Sequence, residues 1–369
     1  MFSVDKNLLA LKAAQTGFNR DTLEKVYRLV DILDFVNRTP QLNDKLVLKG
    51  GTAINLAVFE MPRLSVDIDM DLDYPSSKED MENARLNITI ALLGYAKTHG
   101  YVMNKDKTKD RHALNSWVFE YTNSVGNKDN IKIEVNCMMR NHILPPLTKT
   151  VAPDFLLHPI QVKTLHPIEL FGSKIKALVE RTAARDLYDI HNMINTVSLN
   201  GEDELLLKKC FLFYYTVGAT NGFSSVISFD NIDQLQFSKV KQTLIPVLRK
   251  TEKIDIDSIK SEVREYLDRI IVLTEREKEY LSSFELGKYK PELLFDDANI
   301  VNRIIGHPMA MWKTQNHART NPATPQVLGT EKKRHKLDDI IANTQKRHGT
   351  QQNNAIPDKN RNGSGDDAR

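Results

Sequence analysis

Residues 45–72 read KLVLKGGTAINLAVFEMPRLSVDIDMDL, and few backbone arrangements accommodate that string. Residues 45–49 form a short apolar run of strand type that breaks at Gly50-Gly51, and 52–59 (TAINLAVF) resume a helical pattern. Residues 65–72 then alternate apolar with acidic side chains at period two, the signature of a strand. Successive strand side chains point to opposite faces, so Asp67, Asp69 and Asp71 are expected on one face. Three carboxylates on one face repel one another unless a cation or a basic partner neutralises them. The glycine pair between strand and helix lets backbone approach an anion closely, beside free N–H groups of the first helical turn.

Those two halves are complementary. Mg²⁺ prefers carboxylate oxygens together with substrate phosphates, so an Asp-x-Asp-x-Asp strand next to a Gly-Gly-Thr turn suits a metal-bound phosphate ester. An Asp-x-Asp pair alone reads equally well as an edge strand facing solvent; the strand–helix–strand order around it makes the combination specific. Residues 131–136 (IKIEVN) read as a further strand carrying one acidic residue, Glu134. If that strand lies beside the Asp strand, Glu134 completes a carboxylate site; otherwise it pairs with Lys132 on an exposed face.

The rest of the chain supplies the frame. Residues 21–38 are expected to form an amphipathic helix capped by Asp21, with Glu24 at the capping-box spacing. A helix over 78–99 and strands over 117–121 and 161–164 follow. From Pro167 the pattern turns helical: 168–181, 184–195, then 257–273 and 275–284. Helices and strands interleave first and helices alone follow, so the fold class is α+β. The expected organisation is a mixed-sheet domain over 1–160, a helical domain over 161–312 and a basic tail over 313–369. Pro145-Pro146 and Pro153 mark the first connector. The tail holds 11 Lys/Arg against 6 Asp/Glu and few large apolar residues, so it is expected to be disordered.

Composition removes other classes. The 369 residues are 41% hydrophobic and 27% charged, with two cysteines, Cys137 and Cys210, too few for a disulfide framework or a Cys-based zinc site. No His-x-x-x-His or His-Glu-x-x-His spacing occurs, which disfavours a zinc hydrolase. No membrane span and no secretory leader are expected, so the chain reads as reduced and cytoplasmic. Cys137, Tyr188 and residues 211–215 (FLFYY) read as packing.

With these residues in place, the chain resembles the polymerase-β-type nucleotidyltransferases, and within them the AbiEii/MenT nucleotidyltransferase toxins. LKGGTA followed by RLSVDID is similar to that family's first block, and ELFGSKIKALVERTAARDLYDI to its second, with Ser173 where an acidic residue often precedes the lysine. The resemblance implies Asp67 and Asp69 as the catalytic metal-binding pair, with Glu134 and Asp71, both less closely matched, beside them. It implies Gly51 and Thr52 at the triphosphate, with Lys49, Gly50 and Ser65 in the same nucleotide-binding block. Lys174 aligns with the catalytic lysine and Asp189 with the second Asp of an Arg-Asp-x-x-Asp block. Helical spacing independently puts Lys174 and Arg181 on one face of a helix, and Asp186 and Asp189 on one face of the next. Arg63 and Lys49 flank the acidic strand as phosphate contacts or as surface charges; Arg185 and Asp186 read as interhelical salt bridges. The implied activity is transfer of a nucleotide from an NTP, with two Mg²⁺ or Mn²⁺ ions, to a hydroxyl at the tRNA 3′ end. The implied setting is a toxin–antitoxin or phage-defence pair with a separately encoded antitoxin. A small-molecule nucleotidyltransferase of the antibiotic-modifying kind, and a non-catalytic nucleotide-binding module, are the alternative readings.

Overall fold

A computed structural model describes residues 5–74, 77–151, 158–220 and 222–320. Among these, eight strands build one mixed sheet: β1 Leu46–Lys49, β2 Asp67–Leu72, β3 Val102–Met103, β4 Lys109–Asp110, β5 Leu114–Thr122, β6 Lys128–Asn136, β7 Leu147–Val151 and β8 Ile160–Thr164. Their order across the sheet is β3-β5-β6-β2-β1-β8-β7, with β4 also paired to β5. β2 and β6 run parallel, as do β1 and β8; the other neighbours are antiparallel. The helices are α1 Lys6–Thr16, α2 Arg20–Arg38, α3 Pro40–Asn43, α4 Gly50–Ala53, α5 Lys78–Thr98, α6 Pro167–Arg181, α7 Ala184–Thr196 and α8 Gly201–Val217. They continue with α9 Phe237–Thr243, α10 Ile256–Ile270, α11 Glu275–Glu285, α12 Ala298–Ile304 and α13 Pro308–Thr320.

The sheet is held from beneath by alternation. On β2, Ile68, Met70 and Leu72 are buried, which leaves Asp67 and Asp69 for the opposite side of the pleat. α2 packs across β6 and β8 through an apolar stripe that includes Leu29, Ile32 and Leu33. Its cap is Asn19, whose side chain accepts from the N–H groups of Asp21 and Thr22; the expected Asp21 cap is displaced into the first turn. Glu24 closes no capping box. It is fully buried, bonded to Arg28 and to the N–H and hydroxyl of Ser124, and so ties α2 to the turn between β5 and β6.

The sheet runs to Thr164, past the boundary expected at residue 160, and Pro145-Pro146 precedes β7 directly instead of ending the sheet. Pro153 lies outside the described residues. β3, β4 and β7 carry no alternation strong enough to announce them. The expected tail also starts too early: α13 continues to Thr320, and Lys313 and Thr314 are at least half-buried. Residues 321–369, the remainder of that expectation, lie outside the described residues.

Two features lock the helices that face the sheet. His166 caps α6 by accepting from Ile168 N–H, with Pro167 in the first position, where its missing N–H costs nothing. Gly172 lets α6 and α8 approach closely, since a Cβ there would stand 2.7 Å from that of Cys210. Glu169, fully buried on α6, accepts from the N–H groups of Ile143 and Leu144 and from the Tyr214 hydroxyl, joining α6, α8 and the segment before β7. Cys137, Cys210 and Tyr188 are buried, as are residues 211–214.

Candidate active site

Sheet register assembles the acidic side of the site. Asp69 stands opposite Lys49 on β1 and opposite Glu134 on β6, so the two candidate carboxylates from distant parts of the sequence become next-strand neighbours. Where β1 meets α4, Gly50 adopts φ +69°. A Cβ at that position would lie 2.8 Å from Asp69 Oδ2, so glycine serves both the turn and the carboxylate packed against it. Thr52 and Ser65 are buried: the Thr52 hydroxyl bonds to Ser65 Oγ at 2.9 Å and donates to the Asp67 carbonyl. Both side chains therefore staple the glycine turn to the start of β2.

The carboxylates differ in what holds them. Asp71 is buried and takes Lys49 Nζ at 2.5 Å on Oδ1, leaving Oδ2 buried with no hydrogen-bond partner. Glu134 is partly exposed and pairs with Lys132 at 2.8 Å, the alternative expected for it, while still flanking Asp69. The carboxylates of Asp67 and Asp69 accept no hydrogen bond or ion pair among the described residues. Burial pushes the Asp69 carboxyl above its usual range, and the neighbouring charges of Asp67 and Glu134 add to that against the pull of Lys49 and Lys174. Crowded, unpaired oxygens of this kind fit a hard divalent cation. No group of three acidic, His or Cys side chains converges as a complete metal cage among the described residues. The donor set instead suits an ion that completes its shell with water and phosphate oxygens.

The opposite side is cationic and internally paired. Lys174 is buried, with Nζ 3.0 Å from Asp186 Oδ1 and 3.1 Å from Asp189 Oδ2. Arg63 is neither a surface charge nor open to the cleft: it is buried and forks onto Asp189 at 2.7 and 2.6 Å, while Asn55 donates to the same carboxylate at 3.2 Å. Arg181 reaches Asp186 at 2.6 and 2.9 Å yet keeps its side chain 62% exposed. Burial works against charge here, but Lys174 and the arginines outweigh it, holding Asp186 well below the usual carboxylate range and lowering Asp189 as well. By the same balance the two aspartates raise Lys174.

Between the two sides lies a cleft of about 560 Å³, within the range of small-ligand sites. Of the candidate residues, Lys49, Gly50, Gly51, Asp69, Asp71, Lys174 and Arg181 line it; Asp67, Glu134, Thr52, Ser65 and Asp189 are not among the lining residues. Sequence reasoning missed the cleft's further wall, formed by Lys176 and Glu180 of α6 and by Met309, Trp312 and Lys313 of α13. The two-residue separation of Lys174 and Lys176 gave no hint of a shared cleft, and Lys313 had been assigned to the tail. Asp186 on α7 bonds both Lys174 and Arg181 on α6, the interhelical salt bridge expected of it.

A mixed sheet that sets a paired-aspartate strand beside a glycine turn, across a cleft from a lysine–arginine wall, defines a nucleotidyltransferase. Residues 34–282 match the family described as nucleotidyl transferase AbiEii toxin of type IV toxin–antitoxin systems, and the chain belongs to that family. Its fold is similar to that of MenT4, a nucleotidyltransferase toxin from Mycobacterium tuberculosis H37Rv, with a TM-score of 0.60 at 15% identity, covering 84% of this chain and 99% of MenT4. No curated protein matches the sequence. Among the described residues no helix is long and apolar enough to cross a membrane.

Proposed function

We propose that the cleft transfers a nucleoside monophosphate from an NTP to the 3′-terminal hydroxyl of a tRNA. The supporting observation is the pair Asp67 and Asp69: two neighbouring carboxylates of β2 without protein partners, of which Asp69 lines a cleft whose other side is lysine and arginine. Asp67 and Asp69 would hold Mg²⁺ or Mn²⁺, with phosphate and water oxygens completing the shell and Glu134 beside Asp69 on the neighbouring strand. When bound, such ions lower the charge on the α-phosphate and on the attacking and leaving oxygens. In the transfer, the acceptor oxygen forms a bond to the α-phosphorus as the bond to the β-phosphate oxygen breaks, and pyrophosphate departs.

The chain's own residues divide the remaining work. Arg181, exposed in the cleft and fixed by Asp186, offers its outward N–H groups to phosphate oxygens. Lys174 supplies a fixed positive charge near the site of developing negative charge. Asp189, with Arg63 and Asn55 behind it, positions Lys174 without reaching the substrate. Gly50 and Gly51 leave room for phosphate beside Asp69. Glu134, on the strand next to Asp69 and in a partly exposed pair with Lys132, would take the acceptor's proton, whereas Asp71 is buried against Lys49. A separately encoded antitoxin restrains the activity in the cell.

The test is to incubate the protein with Mg²⁺, total tRNA and each α-³²P-labelled NTP in turn, with Asp69→Ala in parallel. Label in tRNA from one nucleotide, absent with the variant, is the expected result. Label that survives in Asp69→Ala sinks the assignment of the carboxylate site. Label that appears in a small molecule instead of RNA moves the acceptor to the antibiotic-modifying class.

A further inference from the structure

The cleft has two chemically different ends. Asp69, Gly50, Gly51, Lys174 and Arg181 make one end charged; Val217, Ala219, Met309 and Trp312 contribute apolar surface to the other wall. That second wall also carries Lys176, Glu180 and Lys313, so its apolar surface is set within a charged rim. An NTP has the same polarity along its length, with a polyanion at one end and a flat aromatic base at the other.

Trp312 is 55% exposed on this wall, and its helix is firmly set. Buried His307 accepts from the N–H of Ala310 at the start of α13. Lys313 donates to the carbonyls of Thr216 and Ala219, at and just beyond the end of α8. Thr314 bonds back to the Ala310 carbonyl at 3.0 Å. An exposed tryptophan on a floppy surface segment needs no explanation. One held rigidly on the wall of the cleft that carries the carboxylates is a preorganised flat platform.

We infer that Trp312 stacks on the base of the donor NTP, so that α13 forms the base end of the nucleotide site. This rests on the nucleotidyltransferase reading above and deepens it. Stacking on an aromatic side chain tolerates any base, so Trp312 supplies affinity for the base end of the nucleotide, whichever of the four it carries.

The protein carries two tryptophans, and Trp117 is buried in the sheet, so quenching of the exposed fraction of emission reports on Trp312. The experiment titrates the full chain with each Mg²⁺–NTP in the absence of RNA, and separately with inorganic tripolyphosphate. It follows acrylamide quenching of tryptophan emission and, independently, retention of radiolabelled NTP by equilibrium dialysis. The expected result is that at least one NTP shields Trp312 from acrylamide, while tripolyphosphate displaces labelled NTP without shielding. Trp312→Ala is expected to weaken NTP retention roughly tenfold and to leave tripolyphosphate competition unchanged, and Trp312→Phe to restore most of the loss. NTP retained by dialysis with no change at Trp312 overturns the inference and leaves the nucleotidyltransferase reading intact. No retention of any NTP fails both together.

Discussion

The two sides of the cleft are built on opposite principles. On the sheet side, Asp67 and Asp69 are placed by backbone register alone and left without protein partners, so their charge remains open to a ligand. On the helical side, Lys174, Arg181, Arg63, Asp186 and Asp189 are saturated with one another, and four of the five are almost wholly buried. Buried ions tolerate this only when paired, because an uncompensated charge in a low-dielectric interior costs several kcal/mol. The sheet side therefore holds repulsion that no protein group relieves, and the helical side holds geometry fixed by its own pairing. Ligand sites and structural networks are told apart here by which charges lack a partner.

The largest expected effect breaks the comparison on the sheet side. Asp69→Ala should lower transfer by about a thousandfold or more, the scale of losing several kcal/mol of charge stabilisation in the transition state. Its thermal stability should not fall. Asp69→Asn, which keeps the shape and removes the charge, should raise stability by about 1 kcal/mol through relief of repulsion from Asp67 and Glu134. The opposite sign belongs to the helical side: Asp189→Ala leaves Arg63 and Lys174 buried and short of counter-charge, and should cost about 3–5 kcal/mol of folding stability. Urea titrations of wild type, Asp69→Asn and Asp189→Ala in one series test both signs. Equal destabilisation by the two variants erases the distinction between the sides.

Next in size is Gly50→Ala. The left-handed φ of +69° costs a non-glycine residue about 1–2 kcal/mol, and the added Cβ must displace Asp69 Oδ2. Activity should therefore fall further than stability, since the displaced group is a candidate metal ligand. Transfer assays alongside melting curves check this, and a loss of activity in proportion to lost stability contradicts it.

How far the sequence could be read follows the same division. β2 and its carboxylates were legible because strand alternation and the glycine turn are local patterns, and α6 and α7 because their spacing is helical. The pairing of Asp69 with Glu134 was a conditional, since parallel register between β2 and β6 is set by a sheet that no local pattern specifies. Arg63 was ambiguous for a physical reason: an arginine near an acidic strand looks alike in sequence whether it meets phosphate or, as here, a buried Asp189 on α7. The cap of α2 was misplaced because Asn19 and Asp21 are both good caps and Glu24 was drawn off by Ser124. α13 was read as the tail's beginning because its anchors, His307 and the Thr216 and Ala219 carbonyls, bind groups distant in sequence or belonging to the backbone.

The smallest expected effect is in pH, and its sign separates the two sides. Asp186 and Asp189 are held below the ordinary Asp value of 3.8, so their stabilisation is present above that value and is lost as pH falls through their folded values. Lys174 is held above the ordinary lysine value of 10.5, so its contribution is present below that value and is lost as pH rises through the folded one. The helical network should thus stabilise evenly across neutral pH, and the deficit of Asp186→Asn relative to wild type should stay constant there and shrink in acid. Asp69 is shifted the other way. Its ionisation costs stability as pH rises from 3.8 through its folded value, so the advantage of Asp69→Asn should grow with rising pH and fade in acid. Urea midpoints of the three proteins between pH 4 and 9 would show Asp186→Asn below wild type by a nearly constant margin and Asp69→Asn above it, with only the second margin closing toward the acid end. Curves on the same side of wild type would mean that the acidic strand is paired after all.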